Sequence, residues 1–283
     1  MSKLKIALER AKQIRESGNQ NDGPVLDRSA TRIRHQPQED GIELSKLEIH
    51  YTKTKVHQID KEFLRNNKIY ALFKDNDTND QIELLRTQIL NKLKSIQGNT
   101  LLVTSANPGE GKTFLSINLG ISIAQQLDKT ALIIDADLRE PWEYHKSFSD
   151  DFWGIKTEKG LSDYFLGNAE IEDIMINPGI EKLTIIPSGK VVPNSADYLA
   201  SSKMERLIKQ LKKRYRERII IFDCPAMLSY SDPLVFSHLI DGILLVIEAE
   251  RTRPDQIKKV VDLLNGKNII GCVYNKAKRS PNP

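Results

Sequence analysis

The stretch Leu101-Leu-Val-Thr-Ser-Ala-Asn-Pro-Gly-Glu-Gly-Lys-Thr113 constrains the chain more than any other. A β-favouring apolar run ends at Ser105, and Asn107-Pro108-Gly109 supplies turn chemistry. From Gly111 onward the apolar residues Leu115, Leu119 and Ile123 recur at helical spacing. Strand, loop and helix thus follow one another, with Ala-x-x-x-x-Gly-Lys-Thr spread from Ala106 to Thr113. This is the phosphate-loop pattern with Ala106 at a position usually held by glycine. Backbone N–H groups of such a loop and the helix N-terminus behind it form an anion site, and Lys112 adds a charge that reaches outer phosphates. Thr113 supplies a hydroxyl for Mg²⁺. The candidate nucleotide-binding residues are therefore Ala106, Asn107, Pro108, Gly109, Glu110, Gly111, Lys112, Thr113 and Phe114. A dinucleotide fingerprint is excluded, because Gly109-x-Gly111 would need a third glycine at Phe114.

At 283 residues the chain has room for one large α/β domain and an appendage. No apolar run approaches the ~18 residues that a membrane span needs, and Met1-Ser-Lys-Leu-Lys does not lead into the apolar block of a secretory signal. The expectation is a cytoplasmic protein. Cys224 and Cys272 sit in apolar, strand-like surroundings without metal-ligand spacing, and are expected to be buried reduced thiols. Residues 1–75 hold 15 Lys/Arg against 11 Asp/Glu, while residues 76–283 hold 27 of each, so the net charge of +4 lies wholly in the first quarter. That excess is too mild for a nucleic-acid footprint. It suits an acidic partner or an anionic membrane surface.

Three regions are expected. Residues 1–17 form an amphipathic helix, with Leu4, Ala7, Leu8, Ala11 and Ile14 on one face of Ser2–Glu16 and Gly18 ending it. Residues 18–75 are a linker and irregular segment: Ser17–Gly41 is polar and aperiodic, Leu47–Tyr51 alternates like a strand, and Asp60–Asn66 resembles a helical turn or two. Residues 76–283 hold the nucleotide-binding domain. They begin with a helix over Asp77–Ile96, for which Asp77, Thr78 and Asn79 are candidate caps. Beyond the loop, strands are predicted at Thr100–Ser105, Thr130–Ile134, Leu183–Pro187, Arg218–Phe222, Gly242–Ile247 and Ile269–Tyr274. Helices are predicted near 113–127, 202–216, 231–240 and 253–265. Each strand is an aliphatic run suited to burial on both faces, which predicts a three-layer α/β/α fold with a mostly parallel sheet.

Two strand ends supply carboxylates. Ala131-Leu-Ile-Ile-Asp-Ala-Asp137 delivers Asp135 and Asp137, and Ile219-Ile-Ile-Phe-Asp223 delivers Asp223. In open α/β sheets ligands collect at the carboxyl ends of the strands, where the phosphate loop also lies. Buried unpaired carboxylates are costly, and Mg²⁺ would offset that cost. The doublet offers one metal ligand and a second carboxylate able to take a proton from an attacking hydroxyl.

These residues resemble those of the bacterial tyrosine kinases, cytoplasmic autokinases of capsule, exopolysaccharide and exosortase-type loci. The resemblance runs from about Asp80 to the C-terminus. It rests on Val103–Thr113, Leu132-Ile-Ile-Asp-Ala-Asp-Leu-Arg139 with Pro141, Gly160-Leu-Ser-Asp163, Pro187-Ser-Gly189 and Pro193-Asn-Ser-Ala196. Ile220-Ile-Phe-Asp-Cys-Pro225, Asp241-Gly-Ile-Leu-Leu-Val246 and Gly271-Cys-Val-Tyr-Asn275 continue it. The resemblance implies that Lys112 and Thr113 contact phosphate and Mg²⁺, and that Asp135 and Asp137 divide metal binding and proton acceptance. It also implies that Asp223 is associated with Mg²⁺ and that Asn275 lies near the adenine. The implied ligands are ATP and Mg²⁺. The implied partners are a membrane polysaccharide copolymerase (a chain-length regulator), which would recruit the protein to the inner membrane face, and a tyrosine acceptor. A homo-oligomer is implied as well.

Two departures stand out. The tail Lys276–Pro283 has no tyrosine cluster, leaving upstream residues such as Tyr51 or Tyr70, or another protein, as acceptor. The family's ring-assembly motif Glu-x-x-Arg-x-x-Arg aligns with Asp80-x-x-Glu83-x-x-Arg86, so an acid replaces one arginine. The competing function is a partition-type ATPase switch that binds a membrane polysaccharide partner without tyrosine transfer. Such ATPases usually carry an extra lysine early in the loop, and residues 105–108 are Ser-Ala-Asn-Pro.

Overall fold

The computed structural model describes residues 55–58, 60–74, 77–139, 148–214 and 217–278, all within the unit Leu44–Pro283. The expected helix at Ser2–Glu16, the linker Ser17–Gly41, the strand at Leu47–Tyr51 with its candidate acceptor Tyr51, Pro141 and the end of the tail lie outside the described residues.

The described residues open with β1 (Lys55–Val56), α1 (Lys61–Asn66) and α2 (Asp77–Ser95), followed by β2 (Thr100–Ser105), α3 (Lys112–Ala124) and β3 (Thr130–Asp135). Short helices α4 (Asp150–Trp153), α5 (Leu161–Leu166) and α6 (Ile171–Ile174) lead to β4 (Ile176–Asn177) and β5 (Leu183–Ile186). Then come α7 (Ser195–Leu199), α8 (Ser202–Arg214), β6 (Arg218–Asp223), α9 (Asp232–Phe236), β7 (Gly242–Glu248), α10 (Pro254–Leu263) and β8 (Ile269–Asn275). The eight strands form one sheet in the order β1-β4-β5-β3-β6-β2-β7-β8. Every neighbouring pair is parallel except β4 with β5.

Alternate residues of β2 separate the two faces. Leu101 and Val103 pack with Ile82, Ile89 and Leu93 of α2 and with Ile117 and Ile121 of α3. Leu102 packs on the other side with Phe222, with Met204, Leu207 and Leu211 of α8, and with Phe236 and Val260. Three layers result, as the uninterrupted aliphatic runs predict. Burying an aliphatic side chain contributes roughly 1.5–3 kcal/mol, so the Ile82–Ile89–Leu93 stripe fixes a helix whose propensity alone would be marginal. Helix α3 lies so close to the sheet that a Cβ on Gly120 would come 2.6 Å from Ile133 Cδ1.

Residues 60–74 are bonded to the phosphate-loop helix. Asp60 caps α1 by accepting from the N–H groups of Glu62 and Phe63, both at 3.0 Å. Buried Asn118 of α3 accepts from the backbone N–H groups of Tyr70 and Ala71 at 2.7 and 3.0 Å and donates to the Lys68 and Phe114 carbonyls. Tyr70 thereby meets Phe114 edge-on, with ring centroids 6.1 Å apart.

Five expectations need correction. Asp77, Thr78 and Asn79 are the first three residues of α2 itself, so none of them is its N-cap. The helix expected over 231–240 is split into α9 and a 3₁₀ turn at Ser237–Leu239. β8 is not buried on both faces: among the described strands it pairs only with β7, and each of its residues is half-buried or exposed. Consequently Cys272 is an exposed thiol, whereas Cys224 is buried as expected. Tyr274, which its aliphatic neighbours suggested was buried, is 63% exposed.

Candidate functional site

The loop between β2 and α3 is shaped by two glycines in the left-handed region, Gly109 at φ +78° and Gly111 at φ +98°. Glu110 holds it closed from inside. Its carboxylate is 1% exposed and accepts from the Ala106 N–H at 3.0 Å, the Asn107 amide at 2.8 Å and the Thr252 hydroxyl at 2.6 Å. Asn107 also exchanges amide hydrogen bonds with Gln256. Asn275, at the end of β8, donates to the Glu110 carbonyl at 2.8 Å, and Lys276 donates to the Gly109 carbonyl at 2.7 Å. The loop is thus fixed from the β7–α10 connection and from the last strand. Ala106, Asn107, Glu110 and Asn275 brace it from behind rather than lining the space in front, and the Asn275 amide is committed to the loop backbone.

In front of the loop lies a cleft of about 940 Å³. Pro108, Gly109, Gly111, Lys112, Thr113 and Phe114 line one side. Asp135, Asp137 and Asp223 reach it from the ends of β3 and β6, and Ser188, Tyr230, Lys156 and Lys190 add polar wall. Strand register explains the convergence, because Asp135 and Asp223 are direct partners across β3 and β6.

The carboxylates share too little compensation. Burial raises the Asp135 carboxyl well above the ordinary carboxylate range, and the neighbouring Asp223 and Asp137 charges raise it further. The Ser188 hydroxyl and the Asp137 N–H, the latter at 3.1 Å, oppose this only in part. Burial raises Asp223 too, against hydrogen bonds from Thr113 and Ser116 and the Lys112 charge. Desolvation dominates at both residues, which is the condition a cation relieves. Among the described residues no three acidic, histidine or cysteine side chains are grouped as a ready-made metal cage. That suits Mg²⁺, which takes one or two carboxylates and completes its shell with water and substrate phosphate. Asp135, Asp223 and the Thr113 hydroxyl fit such an ion.

Some participants carried little sequence signal. Ser116 lies one turn beyond Thr113 and so reaches Asp223 from the same face of α3. Ser188 sits in the Pro187-Ser-Gly189 block, but its bond to Asp135 depends on the pairing of β5 with β3. Thr252 and Gln256 reach the loop across more than 140 residues of sequence, which no local pattern reveals.

Fold and site together define a P-loop nucleotide-binding domain of the α/β/α class, and residues 98–264 match the family described as AAA domain. The chain is 31% identical over 205 residues to tyrosine-protein kinase CpsD of Streptococcus agalactiae serotype III, covering 72% of this chain and 84% of that protein. It is 31% identical over 216 residues to tyrosine-protein kinase etk of Escherichia coli K12, covering 75% of this chain but 28% of the relative. It likewise spans 26% of a putative tyrosine-protein kinase in the cps region of Klebsiella pneumoniae. The solved kinase domain of Escherichia coli ETK superposes with a TM-score of 0.66 at 28% identity, covering 83% of this chain and 87% of that one. The septum site-determining protein MinD of Pyrococcus horikoshii, solved with Mg-ADP, superposes at 0.52 with 26% identity, covering 65% and 72%. The chain belongs to the bacterial tyrosine-protein kinase family.

Proposed function

We propose that the chain transfers the γ-phosphate of ATP to a protein tyrosine and that this activity serves capsule or exopolysaccharide assembly. The observation that carries this reading is the meeting of Lys112, Asp135, Asp137 and Asp223 around one cleft. Lys112 sets its charge against the outer phosphates and remains there as charge moves toward the leaving oxygen. Asp137, more accessible than Asp135, accepts the proton of the incoming phenol. Asp135, Asp223 and Thr113 would hold Mg²⁺, which would supply charge to neutralise the developing phosphate charge. Asp135 is then kept for binding, since it is buried beside its register partner Asp223 while Asp137 is the more accessible of the doublet. The relatives' names, CpsD and etk among them, support tyrosine as acceptor.

The partner that fits is a membrane polysaccharide copolymerase, which would bring the protein to the inner membrane face. No described helix is long and apolar enough to cross a membrane. A homo-oligomer would need contacts other than the ring motif's arginines. Glu83 accepts from Asn79, and Arg86 donates to the carbonyl and hydroxyl of Ser122 in its own α3.

Lys112→Met tests the reading. Purified wild type with Mg²⁺ and labelled ATP is expected to accumulate phosphotyrosine, and the variant at least about 100-fold less, the usual effect of losing a preorganised charge partner. Label appearing as inorganic phosphate alone in the wild type would instead identify an ATPase switch.

A further inference from the structure

Two motif blocks have no direct part in nucleotide chemistry: the Leu138-Arg139 end of the β3 motif, and Asn194-Ser195 within Pro193-Asn-Ser-Ala196. The fold brings both to one buried carboxylate, Asp232, the first residue of α9. Arg139 Nε donates to Asp232 Oδ1 and Oδ2 at 2.7 and 2.6 Å, across 93 residues of sequence. The Ser195 hydroxyl donates to the same carboxylate. Asp232 is 1% exposed, so the guanidinium and the hydroxyl provide the charge-assisted bonds that a carboxylate at this depth requires. The Val192 N–H donates to the Leu138 carbonyl at 3.1 Å, joining the same two segments through the backbone.

This cluster borders the cleft through two neighbours. Asp137 lies two residues before Arg139, and its carboxylate accepts from the Arg139 backbone N–H at 3.4 Å. Tyr230, which lines the cleft, presents its ring to Arg139, with the guanidinium carbon 5.4 Å from the centroid. Arg139 itself does not line the cleft. It stands behind one residue assigned to proton acceptance and one aromatic wall, anchored to a carboxylate that is buried and held by Ser195 as well.

We propose that Arg139 and Asp232 are positioning residues for phosphotransfer: their ion pair fixes Asp137 and the Tyr230 ring at the part of the cleft that the acceptor phenol must reach. The proposal rests on the reading of Asp137 as proton acceptor. A lysine at position 139 would replace the guanidinium only in part, because the Arg139 Nε–H bonds the carboxylate while the cationic carbon stands over the tyrosine ring. Small displacement of a reacting group is enough to slow chemistry without disturbing the nucleotide, which is held on the loop.

The test compares four forms of the full chain: wild type, Arg139→Lys, Arg139→Met, and the double variant Arg139→Met/Asp232→Asn. The double variant removes both charges, so no unpaired buried carboxylate remains to unfold it. Each is assayed with Mg·ATP and a synthetic glutamate–tyrosine copolymer, alongside fluorescent-nucleotide titration and thermal melting. Expected are a kcat reduced about 10- to 100-fold in Arg139→Met and in the double variant, partial recovery in Arg139→Lys, a raised KM for the copolymer, and a nucleotide Kd within about threefold of wild type. A double variant with wild-type kcat and KM would reduce the pair to fold support and overturn the proposal. So would losses of kcat and nucleotide affinity in parallel. If wild type yields inorganic phosphate and no phosphotyrosine, the kinase reading fails. The same comparison is then made on phosphate release, where Asp137 acts on water: a slowed double variant supports the positioning role, and an unchanged one refutes it.

Discussion

Gly111 carries the tightest steric demand in the loop. Its φ of +98° is a conformation that side chains resist, and a Cβ there would stand 2.1 Å from the Asn275 amide nitrogen, which is bonded to the neighbouring Glu110 carbonyl. Alanine at 111 must therefore strain the backbone and push away the side chain that ties β8 to the loop. Gly111→Ala is expected to weaken Mg·ATP binding more than tenfold, by an isothermal titration, while unfolding shifts by only about 1–3 kcal/mol. Unchanged affinity would show that the Asn275 brace is dispensable. Lys112, Thr113, Asp135, Asp137 and Asp223 were legible in the sequence for a simple reason: each is a polar residue at the carboxyl end of an aliphatic strand, or just beyond the glycine turn that follows one. Glu110 was not. It sits in the loop pattern and looks like a ligand-facing residue, yet its carboxylate turns inward to the Ala106 N–H, the Asn107 amide and Thr252. Only the tertiary fold, which brings the β7–α10 connection alongside, determines that direction.

Strands buried on both faces are the elements that sequence reveals best, since each must be aliphatic throughout, and β2, β3, β5, β6 and β7 all fall where the runs predict. β8 reads the same way but is an edge strand, because a run of aliphatic residues does not say how many neighbours a strand will have. The two-residue strands β1 and β4 and the helices α4 to α7 are too short for a period to emerge. Elements also need locking at their ends, and Asp241, just before β7, ties the start of β2 to the last turn of α8. Its carboxylate accepts from the Asn99 N–H and the Thr100 N–H and hydroxyl at the start of β2, and from Lys212 of α8 at 2.7 and 2.8 Å. Burial acts to raise this carboxyl, but the Lys212, Asn99 and Thr100 bonds outweigh it and leave it below its ordinary value. A carboxylate depressed in the folded state stabilises the fold above its unfolded pKa, and that contribution is lost as pH falls through the lower folded value. Asp241→Asn should thus cost about 1–3 kcal/mol at neutral pH, as bonds to a charged acceptor do. Urea melts should show the gap between wild type and variant closing below about pH 4, where the unfolded carboxyl ordinarily titrates. A gap that stays constant down to pH 3 would mean that the charge contributes nothing.

At the scale of the whole molecule, stability and ligand binding are set against each other at the carboxyl ends of β3 and β6. Asp135 and Asp223 are partners in register at the middle of the sheet, 6% and 4% exposed, with burial and mutual repulsion raising Asp135. Without a cation the fold must either keep two charges side by side in a poor solvent or take up a proton, and both cost free energy. Mg·ATP removes that cost as well as adding its own contacts. A ligand at about one hundred times its Kd stabilises by about 2.7 kcal/mol, and a domain of this size gains roughly 2–4 °C per kcal/mol. Wild type should therefore melt about 5–10 °C higher with saturating Mg·ATP than with EDTA. Asp135→Asn keeps the side-chain shape and removes the repulsion. The nucleotide-free variant should melt above nucleotide-free wild type, and its gain from Mg·ATP should shrink to less than half, both read in one scanning-fluorimetry series. A variant that melts lower without ligand and gains as much with it would show that the carboxylate is a structural hydrogen-bond acceptor rather than a charge held in wait for Mg²⁺.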